Sequence, residues 1–242
     1  MPSNSKPPSS LSKYLGGPGA EPPAIAGCDE PVLEWREGGV PVATRFDDPY
    51  FSLAGGLAET RHVFLTGNDL PARLRPGFHV AELGFGTGLN CLALAAITQA
   101  PVAMTSFEAF PMSLPQLEQA HAAFPELAGL AAQLRAGWGQ QVIPVGQVEL
   151  RMIEGDVRKT LPQWQGCADA WFLDGFSPAK NPEMWSGELM TEVGRHTAPG
   201  GSFATYTAAG NVRRSLEAAG FTVERRPGFG RKRHMSIGRM PG

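Results

Sequence analysis

Apolar and polar positions alternate in regular patterns along most of this chain. Val32-Leu33-Glu34-Trp35 and Val40-Pro41-Val42-Ala43-Thr44 flank Gly38-Gly39, which predicts a β-hairpin or an extended pair. Arg45 to Phe51 is too polar for a strand and reads either as a loop that covers something or as a capped turn. Leu57, Ala58, Phe64 and Leu65, with Arg61 and His62 between them, predict a helix over Leu57 to Leu65. A short apolar run (Phe78, Val80, Ala81, Leu83) then leads into Gly84, Gly86 and Gly88, after which Leu89, Leu92, Ala93, Leu94 and Ala96 recur at helical spacing. The local order is strand, glycine turn, helix. Ala103-Met104-Thr105-Ser106-Phe107 predicts a second strand, and it ends in Glu108.

The second half continues the alternation. Two Ala/Leu-rich helices are expected around Leu114 to Ala123 and Pro125 to Leu134. Val148 to Ile153 alternates as a strand and runs into Glu154-Gly155-Asp156. Ala170-Trp171-Phe172-Leu173 is nearly continuous apolar, as a central parallel strand should be, and ends in Asp174. Ser202 to Thr207 follows the turn Pro199-Gly200-Gly201 as a fifth strand. A helix around Asn211 to Ala219 and strands at Phe221 to Arg225 and near His234 to Gly238 close the chain. Strands alternating with helices predict a doubly wound, Rossmann-like α/β sheet with a small N-terminal β extension, which binds ligand at its strand C-termini. Glu82, Glu108, Asp156 and Asp174 fall at or beside four such ends. A single acid there commonly caps a helix. Four converging acids favour a cationic, hydroxyl-rich ligand.

The glycine turn narrows the choice of ligand. Glycine lets backbone N–H groups and a helix N-terminus come close to a bound molecule. A dinucleotide fingerprint requires G-x-G-x-x-G, but its last position here is Leu89, which disfavours a nicotinamide oxidoreductase. The order is instead E-x-G-x-G-x-G from Glu82 to Gly88. An acid beside the loop would crowd a pyrophosphate yet suits an amino acid joined to a sulfonium. The loop therefore reads as an S-adenosyl-L-methionine site, with Glu82, Gly84, Gly86, Thr87, Gly88 and Asn90 on the cofactor side. Glu108, about twenty residues on, stands where a ribose-binding acid is expected. The alternative is a glycine-rich turn that binds nothing.

Composition sets the outer bounds. With 242 residues and 42% hydrophobic, the chain suits one full-sized domain over residues 31–242, behind a Pro/Ser/Gly-rich tail over 1–30 that is expected to be disordered. No apolar run approaches the roughly twenty residues that span a bilayer, and no signal pattern opens the chain, so a cytoplasmic protein is expected. Three separated cysteines and five scattered histidines leave no metal-ligand spacing, so no metal is expected. From Asn211 onward eight basic residues stand against two acidic ones, a net of +6; with −2 overall, −8 remains on the first 210 residues. Such a basic end fits either an anionic partner or a solvated helix face and strand edge.

Asp174 to Trp185 (DGFSPAKNPEMW) is the most specific stretch. An acid at a strand edge followed by a proline-restrained aromatic loop suits a flat acceptor bearing an amine. Asp174 would bind the amine or receive its proton, and Phe176 or Trp185 would stack on the base. The bland alternative has Asp174 capping a turn and the aromatics in the core. Lys180 would meet a phosphate or simply be solvated.

Together with Pro41 to Phe51 (PVATRFDDPYF), Glu59 to Phe64 (ETRHVF), GFGTGLN, SFEAFP, WFLDGFSPAKNPEMW and GFGRKRHM, the chain from about Val32 onward resembles the tRNA 5-methylaminomethyl-2-thiouridine methyltransferases. These form the methyltransferase half of the bifunctional MnmC enzymes and also occur free-standing. The resemblance implies a class I methyltransferase fold, S-adenosyl-L-methionine as donor and tRNA as partner, with the aminomethyl group of a wobble uridine as acceptor. It implies that Gly84, Gly86 and Gly88 line the methionine part, Glu108 holds the ribose, Asp156 meets the adenine and Asp174 sits at the transfer site. Arg231, Lys232 and Arg233 of its last motif are expected on the tRNA side. No second glycine fingerprint follows, so no FAD domain is expected in this chain. Methylation of another RNA base or a small amine, or a silent RNA-binding module of the same fold, are the alternatives.

Overall fold

The computed structural model describes residues 30–52 and 55–242. The expected tail lies outside them apart from Glu30. β1 (Leu33–Arg36), β2 (Val40–Ala43) and β3 (Asp48–Pro49) form a small antiparallel sheet in that order. The hairpin over Gly38-Gly39 is as expected. The polar segment after it adds the two-residue β3, pairing Pro49 with Val42 and Asp48 with Ala43. α1 (Gly56–Thr60) continues as a π-helical turn (Arg61–Leu65) and a 3-10 turn (Thr66–Asn68), so the expected helix is present but changes pitch after Thr60.

The main sheet and its helices follow as β4 (His79–Leu83), α2 (Leu89–Ile97), β5 (Val102–Glu108), α3 (Leu114–His121), α4 (Ala128–Ala136), β6 (Ile143–Val145), β7 (Val148–Glu154), α5 (Val157–Thr160), β8 (Ala168–Leu173), α6 (Gly187–Arg195), β9 (Thr197–Thr205), α7 (Gly210–Ala218), β10 (Thr222–Pro227) and β11 (His234–Arg239). Their strand order is β10-β11-β9-β8-β4-β5-β7-β6. The five central strands from β9 to β7 are parallel, and the strands outside them pair antiparallel. Three elements escape sequence periodicity: β6 and α5, which are very short, and α6. Gly187, Thr191 and Gly194 dilute the helical signal of α6. Packing decides it: Leu189, Met190 and Val193 are buried, and the Ser186 hydroxyl accepts from Leu189 N at 3.3 Å as an N-cap. The expected turn at Pro199-Gly200-Gly201 lies inside β9. There the pairing slips from Ala168↔Thr197 to Ala170↔Ser202, with Gly200 at φ 69°, a bulge rather than a strand start.

Strand alternation sorts the core into two layers. Val80, Met104, Leu150 and Phe172 face α2 and α4, packing with Leu92, Leu94 and Leu134. Ala81, Leu83, Trp171, Leu173 and Phe203 face α6 and α7, packing with Leu189, Val193, Val212 and Leu216. Burying side chains of this size stabilises the fold by about 1.5–3 kcal/mol each. The same alternation puts Glu82 on the face of Val80, toward α2, and leaves the loops after β4, β5, β7, β8 and β9 along one edge.

Candidate functional site

Those loops enclose a cavity of ≈ 800 Å³, within the range that holds small molecules. One wall comes from the glycine loop and the end of β5. Gly84 is at φ 80°, and a Cβ there would lie 3.1 Å from Gly175 Cα, so the close approach of the β4 and β8 loops needs glycine at 84. A Cβ on Gly86 would come within 2.9 Å of the Tyr50 ring. The Glu108 carboxylate turns back under this loop and accepts from Gly86 N at 2.9 Å and Phe110 N at 2.8 Å. A carboxylate fixed in this way can accept from the hydroxyls of a diol. Burial pushes the Glu108 carboxyl up, while these backbone bonds pull it back toward the charged form.

The opposite wall is built around Asp174. Its Oδ1 accepts from Gly175 N and its Oδ2 from Asn90 Nδ2, both at 2.8 Å. Burial pushes its carboxyl up to about 6, against the pull of these bonds and of the Lys232 ammonium. Beside it, Phe176 stacks on Phe46 at 4.5 Å and meets Tyr50 edge-on at 5.1 Å. The Arg45-to-Phe51 loop is therefore a cover, tied down where Asp48 accepts from Ser177 N at 2.8 Å. Tyr206, at the end of β9, donates to Gly175 O at 2.8 Å. Burial, then the carboxylates of Asp174, Asp48 and Glu59, pushes its hydroxyl well up, so it stays neutral.

Several expected residues take other places. Glu82 does not reach the cavity: it is fully buried, and its oxygens accept from Asn90 Nδ2 at 2.8 Å and Ser106 Oγ at 2.6 Å. Burial pushes it well up, and Asn90 bridges it to Asp174. Gly88 also lies off the lining, where a Cβ would strike Phe85 Cζ at 2.6 Å; it serves packing. Trp185 is 3% exposed and donates from Nε1 to Phe176 O at 2.9 Å, so it supports the aromatic loop from beneath instead of presenting a stacking face. Lys180 lies exposed and off the cavity lining, where it clasps Asp47 through the backbone carbonyl and side chain. Arg231 and Lys232 line the cavity, whereas Arg233 is exposed outside it.

Gly84, Gly86, Thr87, Asn90, Glu108, Asp156, Asp174 and Phe176 do line it together. Asp156 also caps α5, accepting from Arg158 N at 3.0 Å and pairing with the Arg158 guanidinium at 2.7 Å, which lowers its carboxyl. Arg158 reaches on to Glu183 at 2.9 Å, joining the two walls. Sequence periodicity misses Phe46, Asp48, Tyr50, Glu59, Thr60 and Tyr206. Tyr206 was findable, since it follows a strand C-terminus just as Asp174 does. Among the described residues no cluster of metal-ligating side chains occurs, and no helix is long and apolar enough to cross a membrane.

This cavity suits S-adenosyl-L-methionine. Glu108 offers a diol acceptor, Asp174 supplies negative charge toward a cationic centre, and Phe85, Phe107 and Val157 give an apolar bed. Residues 122–241 match a family described as S-adenosyl-L-methionine-dependent methyltransferase. The MNMC2 crystal structure from Aquifex aeolicus superposes with a TM-score of 0.68 at 24% identity, covering 88% of this chain and 73% of that one. Fold, cavity and family match define a class I S-adenosyl-L-methionine-dependent methyltransferase. Two similar proteins, from Chromobacterium violaceum and Ectopseudomonas mendocina, are each a tRNA 5-methylaminomethyl-2-thiouridine biosynthesis bifunctional protein MnmC; both are 46% identical over 224 residues, 85% of this chain. A Caulobacter protein of the same name is 45% identical over 230 residues, 87% of this chain. The chain spans about a third of their length, 34%, 34% and 38% respectively. It belongs to the methyltransferase family that these MnmC proteins represent.

Proposed function

We propose that this chain methylates the nitrogen of a 5-aminomethyl group on a uridine or 2-thiouridine at the tRNA wobble position, giving 5-methylaminomethyl-2-thiouridine in the latter case. The observation that carries the reading is the placement of Asp174: a carboxylate held by Asn90 and Gly175 N where the glycine wall meets an aromatic wall, with burial pushing it up to about 6. When bound, S-adenosyl-L-methionine supplies an electrophilic methyl on a sulfonium centre. Glu108 would hold the ribose, the Gly84 and Gly86 backbone the methionine end, and Asp156 the adenine side.

Asp174 has two duties in this reading. An alkylammonium has a pKa of about 10 and is unreactive until it loses a proton. Asp174 attracts and orients the ammonium, and its raised proton affinity makes it an acceptor near neutral pH. The nitrogen lone pair so freed faces the donor methyl, and the proton passes from Asp174 to solvent after transfer. Phe46, Tyr50 and Phe176 exclude water and offer an apolar face to the base. Arg231 at the mouth, with Arg225, Arg226 and Arg233 beyond it, would meet tRNA phosphates. Residues 31–242 would act as one methyltransferase domain in the cytoplasm.

The test is labelled methyl transfer to tRNA bearing the 5-aminomethyl group, read by mass spectrometry of the nucleosides. A mass gain of one methyl at the wobble nucleoside is expected. Methylation of free alkylamines with none on tRNA would contradict the reading and favour a small-molecule enzyme.

A further inference from the structure

Two stretches singled out in the sequence, Glu59 to Phe64 and Gly228 to Met235, supply no group to the chemical step itself. They meet beside Asp174. Lys232 Nζ lies 2.8 Å from Glu59 Oε1 and 4.1 Å from the centroid of the Tyr206 ring. Glu59 is buried at 8% exposure. Its neighbour Thr60 donates to Asn90 Oδ1 at 3.0 Å, and Asn90 in turn holds Asp174. Tyr206 donates to the carbonyl of Gly175, the residue after Asp174. The loop carrying Lys232 is pinned on the same helix, with His62 Nε2 3.0 Å from Pro227 O and its ring against Phe229.

We infer that Glu59 is a positioning residue for methyl transfer: by holding the Lys232 ammonium it keeps that cation from pairing with Asp174, so the Asp174 carboxylate stays open to the acceptor amine. The inference rests on the proposed role of Asp174. Asn90 on α2 and Gly175 N donate to it, Tyr206 is neutral, Glu82 lies behind Asn90, and Asp48 is engaged by Ser177 N. Lys232 is the cation whose field acts on it, and Glu59 is the carboxylate opposing that field. Freed from Glu59, Lys232 has Asp174 as the anion it faces. A direct Asp174–Lys232 pair would occupy the place of the substrate ammonium and make the carboxylate a poorer proton acceptor.

The experiment compares Glu59→Gln with Glu59→Gln/Lys232→Met. In Glu59→Gln, kcat for tRNA methylation should fall roughly tenfold or more, and the acid limb of its pH profile should move down by about one unit. Donor affinity should stay unchanged. Adding Lys232→Met should restore most of kcat and return the limb upward. A second readout is the ¹³C-carboxyl titration of Asp174 in the ligand-free protein, assigned by its loss in Asp174→Asn. It should shift down in Glu59→Gln and recover in the double variant. A wild-type titration in Glu59→Gln, or a double variant no better than the single, overturns the proposal. If Glu59→Gln does not fold, Lys232→Met alone must raise the Asp174 titration point, and no rise overturns it equally. The titration needs no acceptor, so its result stands apart from whether Asp174→Asn abolishes transfer.

Discussion

The two walls of the cavity are held by different kinds of bond. The donor wall comes mostly from one contiguous stretch, Gly84 to Glu108, with Asp156 beside it; its shape is set by glycine torsions and by a carboxylate accepting from backbone N–H groups only two and twenty-two residues away. The acceptor wall is stitched from segments far apart in the chain. Ser177 reaches Asp48 across 129 residues, Lys180 reaches Asp47 across 133, and Lys232 closes on Glu59. Local bonds are formed whenever the strand and helix are formed, so the donor wall is rigid by construction. Bonds between separate segments, most of them at the surface, are individually weak and open at lower cost than a strand or helix. The difference teaches which half admits a macromolecule: a nucleotide-like donor needs a preformed cradle, whereas a base carried on a large RNA needs a wall that parts.

This contrast can be broken from either side. The largest binding effect should come from the donor wall. Glu108→Ala should weaken S-adenosyl-L-methionine binding by about 1.5–3 kcal/mol, the range for hydrogen bonds to a charged group, as read by calorimetry. An unchanged affinity in the folded variant would remove Glu108 from the donor wall. A smaller effect, confined to the other partner, should follow Asp48→Ala. Losing the bond to Ser177 N should raise KM for tRNA severalfold, the counterpart of about 0.5–1.5 kcal/mol, with donor affinity unmoved. If both constants move together, the walls are one unit and the contrast fails. The smallest effect belongs to the basic end, where each of Arg225, Arg226, Arg231 and Arg233 neutralised should reduce the salt slope of log K for tRNA by about 0.7–0.9. A slope unchanged after three removals would mark that end as a solvated face.

The same contrast explains what could be read from the sequence. Short apolar or alternating runs with an acid at or beside their ends located four of the five parallel strands and most of the donor wall, because local pattern and local structure coincide there. Glu82 misled for a local reason as well. It sits beside the glycines in sequence, but strand alternation turns it to the α2 face, where Asn90 and Ser106 satisfy it. The acceptor wall was only partly legible. Asp174 and Phe176 stood out, yet Trp185 and Lys180 proved to support and clasp the loop, and Glu59, Tyr206 and Asp48 carried no periodic signal. Their meaning lies in which distant residue they touch, and spacing along the chain does not encode that. The helix α6 was missed because tertiary packing stabilises a segment with weak intrinsic preference.

The central claim is that Asp174 accepts the acceptor proton, and its most direct test is the rate of methyl transfer to tRNA as a function of pH in wild type and Asp174→Asn. In wild type the rate should rise as Asp174 ionises, with an acid limb near its carboxyl value of about 6. The asparagine keeps the shape but cannot take a proton, so turnover at neutral pH should fall by roughly 10²–10⁴. The limb near 6 should vanish, and the residual rate should climb toward the amine pKa of about 10 as solvent supplies free amine. Donor affinity should persist. Near-normal turnover at neutral pH, or an acid limb near 6 retained in Asp174→Asn, would contradict the account and send the proton by another route.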